Sequence, residues 1–141
     1  MKYLIGLLTL ILTLPLRAEG DLLVVVSRES HVESLTKSEV VDLFMGRYVN
    51  FPNGDKAKVF DLAPKSELKG LFYQKLVNRT EAQINAYWAR LLFSGRNTPP
   101  KETESADQLI HELLSSRHGI GYISSQDLTN SLKVVYRFEA L

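Results

Sequence analysis

Five consecutive apolar residues, Leu22 to Val26, constrain this chain more than any other feature. The run is rich in β-branched side chains and has no polar alternation. Such a run suits a strand buried on both faces, as in a parallel sheet. A strand of that kind needs layers above and below it, and the rest of the sequence supplies helices to make them.

Three helix starts are written in capping chemistry. Thr36 with Glu39 forms a capping box, with Leu35 and Val40 placed for a hydrophobic staple. Val40, Val41, Leu43 and Phe44 form the apolar face, and Gly46 is the expected C′ residue. Thr80 with Gln83 opens a helix whose inner face is Ile84, Tyr87, Trp88, Leu91 and Leu92, ended by Gly95. Ser105 with Gln108 opens a third, with Leu109, Ile110, Leu113 and Leu114 inward and Gly119 closing it.

Between these, Asn53-Gly54 marks a turn and Lys58 to Leu62 reads as a second strand. Pro64 breaks the strand, and Ser66 can cap a helix carrying Leu68, Leu71, Phe72, Leu76 and Val77 on one side, ending at Asn78-Arg79. Asn97 to Lys101, with two prolines, reads as a rigid loop. Ile120 to Ile123 and Leu132 to Phe138 complete the strands, joined by a polar link. The expected order is β-α-β-α-α-α-β-β, an α/β sandwich with a small sheet.

The amino terminus reads differently. Lys2 precedes an apolar run from Leu4 to Leu16, and Leu16-Arg17-Ala18 fits a cleavage site. Residues 1–18 are expected to be a signal peptide cut after Ala18, and 19–141 a single domain. An uncleaved anchor is the alternative, against which the run is short for a membrane span. Lys2 and Arg17 leave with the leader, so the mature chain stands one charge to the acidic side of neutral. That balance argues against nucleic acid as partner. The absence of cysteine excludes disulfides, thiol catalysis and zinc ribbons.

No catalytic pattern emerges, so no catalytic residue, metal or cofactor is expected. His31, His111 and His118 have no metal-ligand spacing. Gly119-Ile120-Gly121 precedes a strand rather than a helix, so it reads as a cap and a close packing contact. Glu102 and Glu104 lie in a solvated stretch with nothing to separate their pKa values. Trp88 with Tyr87 and Phe93 resembles a ligand platform, yet its helical spacing beside Leu91 and Leu92 favours core.

Anion binding has two candidate places. At Lys65-Ser66 a cation, a hydroxyl and helix N-terminal amides converge. At Ser94-Gly95-Arg96 a glycine turn carries a guanidinium. The simpler roles are N-capping for Ser66 and a surface charge near a helix C-terminus for Arg96.

Four segments together resemble a known family: SLTKSEVVDLFMG, SELKGLFYQKLVN, AQINAYWARLLFSGRNTPP and HGIGYIS. They are similar to the phosphate-binding-protein-like branch of type 2 periplasmic binding proteins, the substrate-binding components of ABC transporters. The resemblance implies a single lobe of that fold, a small mixed sheet flanked by helices. It implies a non-enzymatic periplasmic protein that takes phosphate or another small anion, for which the two anion-binding places above supply Ser66, Lys65, Arg96 and Ser94 as the expected binding residues. An inner-membrane permease or sensor is the implied protein partner, and a homodimer clamping ligand between lobes is compatible with it. The family's phosphate loop resembles Arg-x-x-x-Ser-Gly-Thr, where this chain has Leu62, Ser66, Glu67 and Leu68. Only the serine is kept, and Lys65, Lys69 and Arg96 are the cations that could partly compensate for the lost arginine. An adaptor that has lost the phosphate site and binds a sensor or envelope protein is the alternative.

Overall fold

In the computed structural model, which describes residues 20–139, the Leu22–Val26 run forms an inner strand of a mixed sheet. The expected leader, residues 1–18, lies outside the described residues. The elements are β1 (Leu22–Ser27), α1 (Lys37–Phe44), β2 (Lys58–Asp61), α2 (Glu67–Val77), α3 (Glu81–Phe93), β3 (Lys101–Glu102), α4 (Ala106–Leu114), β4 (Gly119–Ser124) and β5 (Leu132–Arg137). A single 3-10 turn, Ser125–Asp127, interrupts the polar link before β5.

The sheet order is β3-β2-β4-β1-β5. β2 runs parallel to both β3 and β4, while β1 is antiparallel to both β4 and β5. Every residue of β1 is buried, as its composition requires, but its direction opposes that of the other four strands. A continuous apolar run reports two-sided burial and not strand direction. β1 stands between β4 and β5, so the two C-terminal strands do not pair with each other.

Alternation along β4 assigns the layers. The faces at Gly119 and Gly121 lie against Leu113 and Leu109 of α4. Tyr122, on the opposite face, stacks on Phe72 of α2 with ring centroids 3.8 Å apart, and Phe44 of α1 lies 6.0 Å from it. Helices therefore cover both sides, and the expected α/β class with a small mixed sheet holds.

The caps hold at α1 and α3, where both halves of each box are made. The Ser105 box is half made. Ser105 accepts from the Gln108 amide, but the Gln108 side chain reaches past it to the Glu104 amide at 2.6 Å. Gly46 and Gly95 take positive φ just beyond α1 and α3, as a C′ glycine should. Gly119 is not a cap: Ser115 ends α4 and Gly119 is the first residue of β4. The 97–101 segment is not wholly loop either, because Lys101 and Glu102 pair with Phe60 and Asp61. A two-residue strand directly after two prolines leaves no periodic signal to read.

Two helix faces are narrower than the spacing predicts. Leu92 is 52% exposed at the end of α3 and Leu114 is 50% exposed at the end of α4. Both sit in the last turn of their helix. Phe93 is almost wholly exposed, while Trp88 is buried, so Trp88 is core as its spacing indicates.

Candidate functional site

Two of the four quoted segments meet at one corner. α1 ends at Met45-Gly46, and the Gly46 φ of +70° turns the chain sharply under Trp88. The Tyr87 hydroxyl donates to the Met45 carbonyl at 2.6 Å, and Asn97 Nδ2 donates to the Gly46 carbonyl. The Phe-x-Gly, Tyr-Trp and Asn-x-Pro-Pro elements are thus a structural joint tying α1, α3 and the 95–101 strap together.

Beside this joint lies an open groove of about 720 Å³. Its apolar lining includes Tyr48, Val49 and Leu92, all more than half exposed. Four cations, Lys56, Lys58, Arg96 and Lys101, share it with one carboxylate, Glu112. Glu112 is already paired to Lys101 at 3.2 Å. The groove is therefore cationic, in a chain whose overall charge is near zero.

The four expected binding residues do not assemble into one place. Arg96 lines the groove, just beyond α3. Ser94 caps the end of α3, where its hydroxyl donates to the Leu91 carbonyl at 2.9 Å. Ser66 and Lys65 stand outside the groove lining, at the start of α2. Ser66 is the N-cap, accepting from the Lys69 amide at 3.4 Å. Lys65 takes the left-handed conformation, φ +67°, and its amide donates to both carboxylate oxygens of Glu81, at 3.0 and 3.1 Å. A side chain of this protein thus already places an anion near the α2 N-terminus.

The largest concentration of buried polarity lies behind that helix and carries no sequence motif. Asp61, at the end of β2, is buried. One carboxylate oxygen accepts from the Tyr122 hydroxyl and from the Leu62 amide at 2.8 Å; the other accepts from the Tyr73 hydroxyl at 2.5 Å. Lys69, only 3% exposed, places its ammonium 3.7 Å from Asp61 and 3.3 Å from Glu102. Burial raises the Asp61 pKa above its ordinary value, against the lowering pull of the two hydroxyls and Lys69. Burial and the neighbouring carboxylate push both tyrosines well up, so they remain donors. Glu102 in β3 meets Lys69, so the ion pair and the Thr103 hydroxyl, which donates to the Asp61 carbonyl at 2.8 Å, anchor the edge strand. Lys69, expected as one of the cations offsetting the arginine absent from the phosphate loop, is instead buried between Asp61 and Glu102. Its only sequence signal of burial is its place one turn ahead of Phe72 and Tyr73, on the buried side.

No family model matches the chain, and no curated protein does. Solved structures do. The chain has a periplasmic-binding-protein fold, that of phosphate ABC transporter substrate-binding proteins. One is described as a phosphate ABC transporter substrate-binding protein with bound phosphate from Clostridium perfringens, superposing at TM-score 0.67 and 14% identity over 82% of this chain and 44% of that one. An ABC-type phosphate transport receptor from Vibrio cholerae gives TM-score 0.66 and 14% identity, over 82% of this chain and 45% of that one. PstS from Borrelia burgdorferi gives 0.63 and 16% identity, over 82% and 46%. The chain spans less than half the length of these structures. At such identity the likeness establishes the fold, as the four sequence segments led us to expect.

Proposed function

We propose that the protein is a non-enzymatic binding protein of the periplasm, exported by the leader that ends at Ala18, and that it takes an anionic ligand. The observation that carries this reading is the groove in which Lys56, Lys58, Arg96 and Lys101 face a single, already paired carboxylate. Phosphate or another oxyanion is the small-molecule candidate, in line with the fold. Arg96 is the principal contact, since guanidinium forks match oxyanions in two parallel bonds. Ser66 and Lys65 are the competing location, where Glu81 already occupies the Lys65 amide. In so open a groove a lone phosphate keeps much of its hydration, so the binding is weak and salt-sensitive.

Calorimetric titration of phosphate into the chain beginning at Glu19, at low salt, tests this. Heat that Arg96→Ala weakens by about tenfold supports the groove. Heat that survives Arg96→Ala and is lost in Ser66→Ala with Lys65→Ala moves the site to α2. No heat from a folded sample overturns the small-anion reading. One site per two chains would indicate a homodimer clamping the ligand between lobes.

A second reading rests on the exposed Tyr48, Val49 and Leu92 in the same groove. An adaptor docking an acidic segment of an inner-membrane permease or sensor would use both its apolar lining and its cations. Tyr48→Ser separates the two: it weakens a protein partner and leaves the heat of phosphate binding unchanged.

A further inference from the structure

A separate hollow of about 260 Å³ shares no lining residue with the groove, although the chain alternates between the two. Met45, Arg47 and Tyr87 line the hollow, while Gly46, Tyr48 and Trp88 line the groove. The apolar part of the hollow is Met45 and Ile84, both buried, with Val77 and Tyr87 half-buried beside them.

Every charged residue lining it is an arginine. Arg47 stands just beyond α1, Arg79 just beyond α2, and Arg90 in the last turn of α3. A cation near a helix C-terminus ordinarily serves the dipole or donates to the last carbonyls. Here backbone amides meet those carbonyls: Arg47 N–H donates to Asp42, the Asn78 N–H to Gln74, and the Ser94 N–H to Arg90. The guanidiniums of Arg79 and Arg90 have no hydrogen-bond or ion-pair partner among the described residues. Arg47 has one, Asp42 at 3.7 Å, which does not line the hollow. Gln83 spends its side-chain oxygen on the Thr80 amide and Tyr87 its hydroxyl proton on the Met45 carbonyl. The Gln83 side-chain NH2 is left as a further donor.

The lining selects a ligand class. Three like charges around one concavity repel one another, and a hollow of one sign focuses its field on an anion that enters. Guanidiniums fork onto carboxylate and phosphate oxygens in parallel bonds, which lysines do not. Three cations exceed what a single negative charge neutralises, so the hollow favours a dianion. Met45, Val77, Ile84 and Tyr87 offer contact to an apolar body behind that head. The volume is at the low end for ligand pockets and limits the body to about one ring.

We propose that this hollow binds a small organic dianion, a phosphomonoester or dicarboxylate on a short apolar body, through Arg47, Arg79 and Arg90. The site is separate from the groove and does not depend on the function assigned to it.

Phenyl phosphate and phthalate are titrated into the protein in turn. The readout is the side-chain Nε–H NMR signals of the three arginines, assigned from Arg47→Gln, Arg79→Gln and Arg90→Gln. Inorganic phosphate and benzoate are the controls, the first lacking the apolar body and the second lacking the second charge. The expected result is a saturable shift of the three signals with at least one of the two dianions, and affinity about tenfold lower for either control. Arg79→Gln and Arg90→Gln, both at exposed positions, should each weaken the binding about tenfold, and Arg96→Gln in the groove should leave it unchanged. Stationary arginine signals with both dianions overturn the proposal. So does binding that Arg79→Gln and Arg90→Gln leave intact, or binding that Arg96→Gln abolishes. Equal affinity for benzoate or for inorganic phosphate also overturns it, because charge screening alone needs neither the second charge nor the apolar body.

Discussion

The carboxylate of Glu81, in the first turn of α3, accepts the backbone amide of Lys65 through both its oxygens, at 3.0 and 3.1 Å. Lys65 holds a positive φ immediately before the Ser66 cap, a conformation that disfavours side chains larger than glycine. Glu81 thereby fixes the turn between β2 and α2 while favouring the α3 dipole.

Glu81→Ala should therefore lower stability by about 1–2 kcal/mol, the scale of a charge-assisted hydrogen bond together with an N-terminal charge. Glu67→Ala, at an exposed position in the first turn of α2, should stay within about 0.5 kcal/mol. Urea denaturation of the two variants decides the matter. Equal losses would remove the special role of Glu81.

Gly46→Ala tests the joint. A Cβ there would lie 2.6 Å from Trp88 Cη2 at a φ of +70°. Left-handed strain and overpacking together should cost about 2–4 kcal/mol. Gly54→Ala, where φ is +93° and nothing lies within 4 Å, carries the backbone cost alone. Trp88 fluorescence should change in the first variant and not in the second. The same emission from both would place the ring elsewhere.

The Asp61 cluster predicts an asymmetry between its charged partners. Asp61→Ala strands a buried ammonium and two buried tyrosine hydroxyls, and should cost about 3–5 kcal/mol. Lys69→Met replaces the ammonium with an apolar chain of similar length. It leaves Glu102 half exposed to water and Asp61 with its hydroxyl and amide donors. It should cost roughly half as much or less. Chemical denaturation of both variants measures the difference, and a larger loss for Lys69→Met would refute the assigned roles.

How far these features can be read from the chain depends on whether their cause is local. Thr36 with Glu39 and Thr80 with Gln83 act within one turn, and both boxes form. Gly46 and Gly95 are legible for the same reason. The direction of β1 is not, because it is set by which strands flank it rather than by its own residues. The site is less legible still. Asp61 meets Tyr122 across 61 residues and Lys69 meets Glu102 across 33, and neither separation leaves a spacing to recognise. Arg96 could be marked as a cation beside a glycine turn, but its lysine neighbours in the groove come from β2, the residues just before it, and β3. The Glu81 carboxylate at the Lys65 amide is likewise a contact between elements that sequence spacing does not place together.

Two carboxylates should titrate in opposite directions. Burial raises Asp61 above its ordinary 3.8, and pairing with Lys133 lowers Glu33 below its ordinary 4.5. Between pH 3.8 and its folded pKa, Asp61 keeps a proton that the unfolded chain has shed. Its contribution to stability is thus fully present below pH 3.8 and is lost as pH rises through the folded value. Glu33 behaves in the reverse sense, contributing above pH 4.5 and losing that contribution as pH falls through its lowered value. Carbon-detected NMR of the side-chain carboxyls should place the Asp61 midpoint above 3.8 and the Glu33 midpoint below 4.5. In denaturation series across acid pH, the stability of the native chain relative to Asp61→Asn should decline as pH rises above 3.8. A relative stability that climbs instead would mean that the two tyrosine hydroxyls and Lys69 outweigh burial at Asp61.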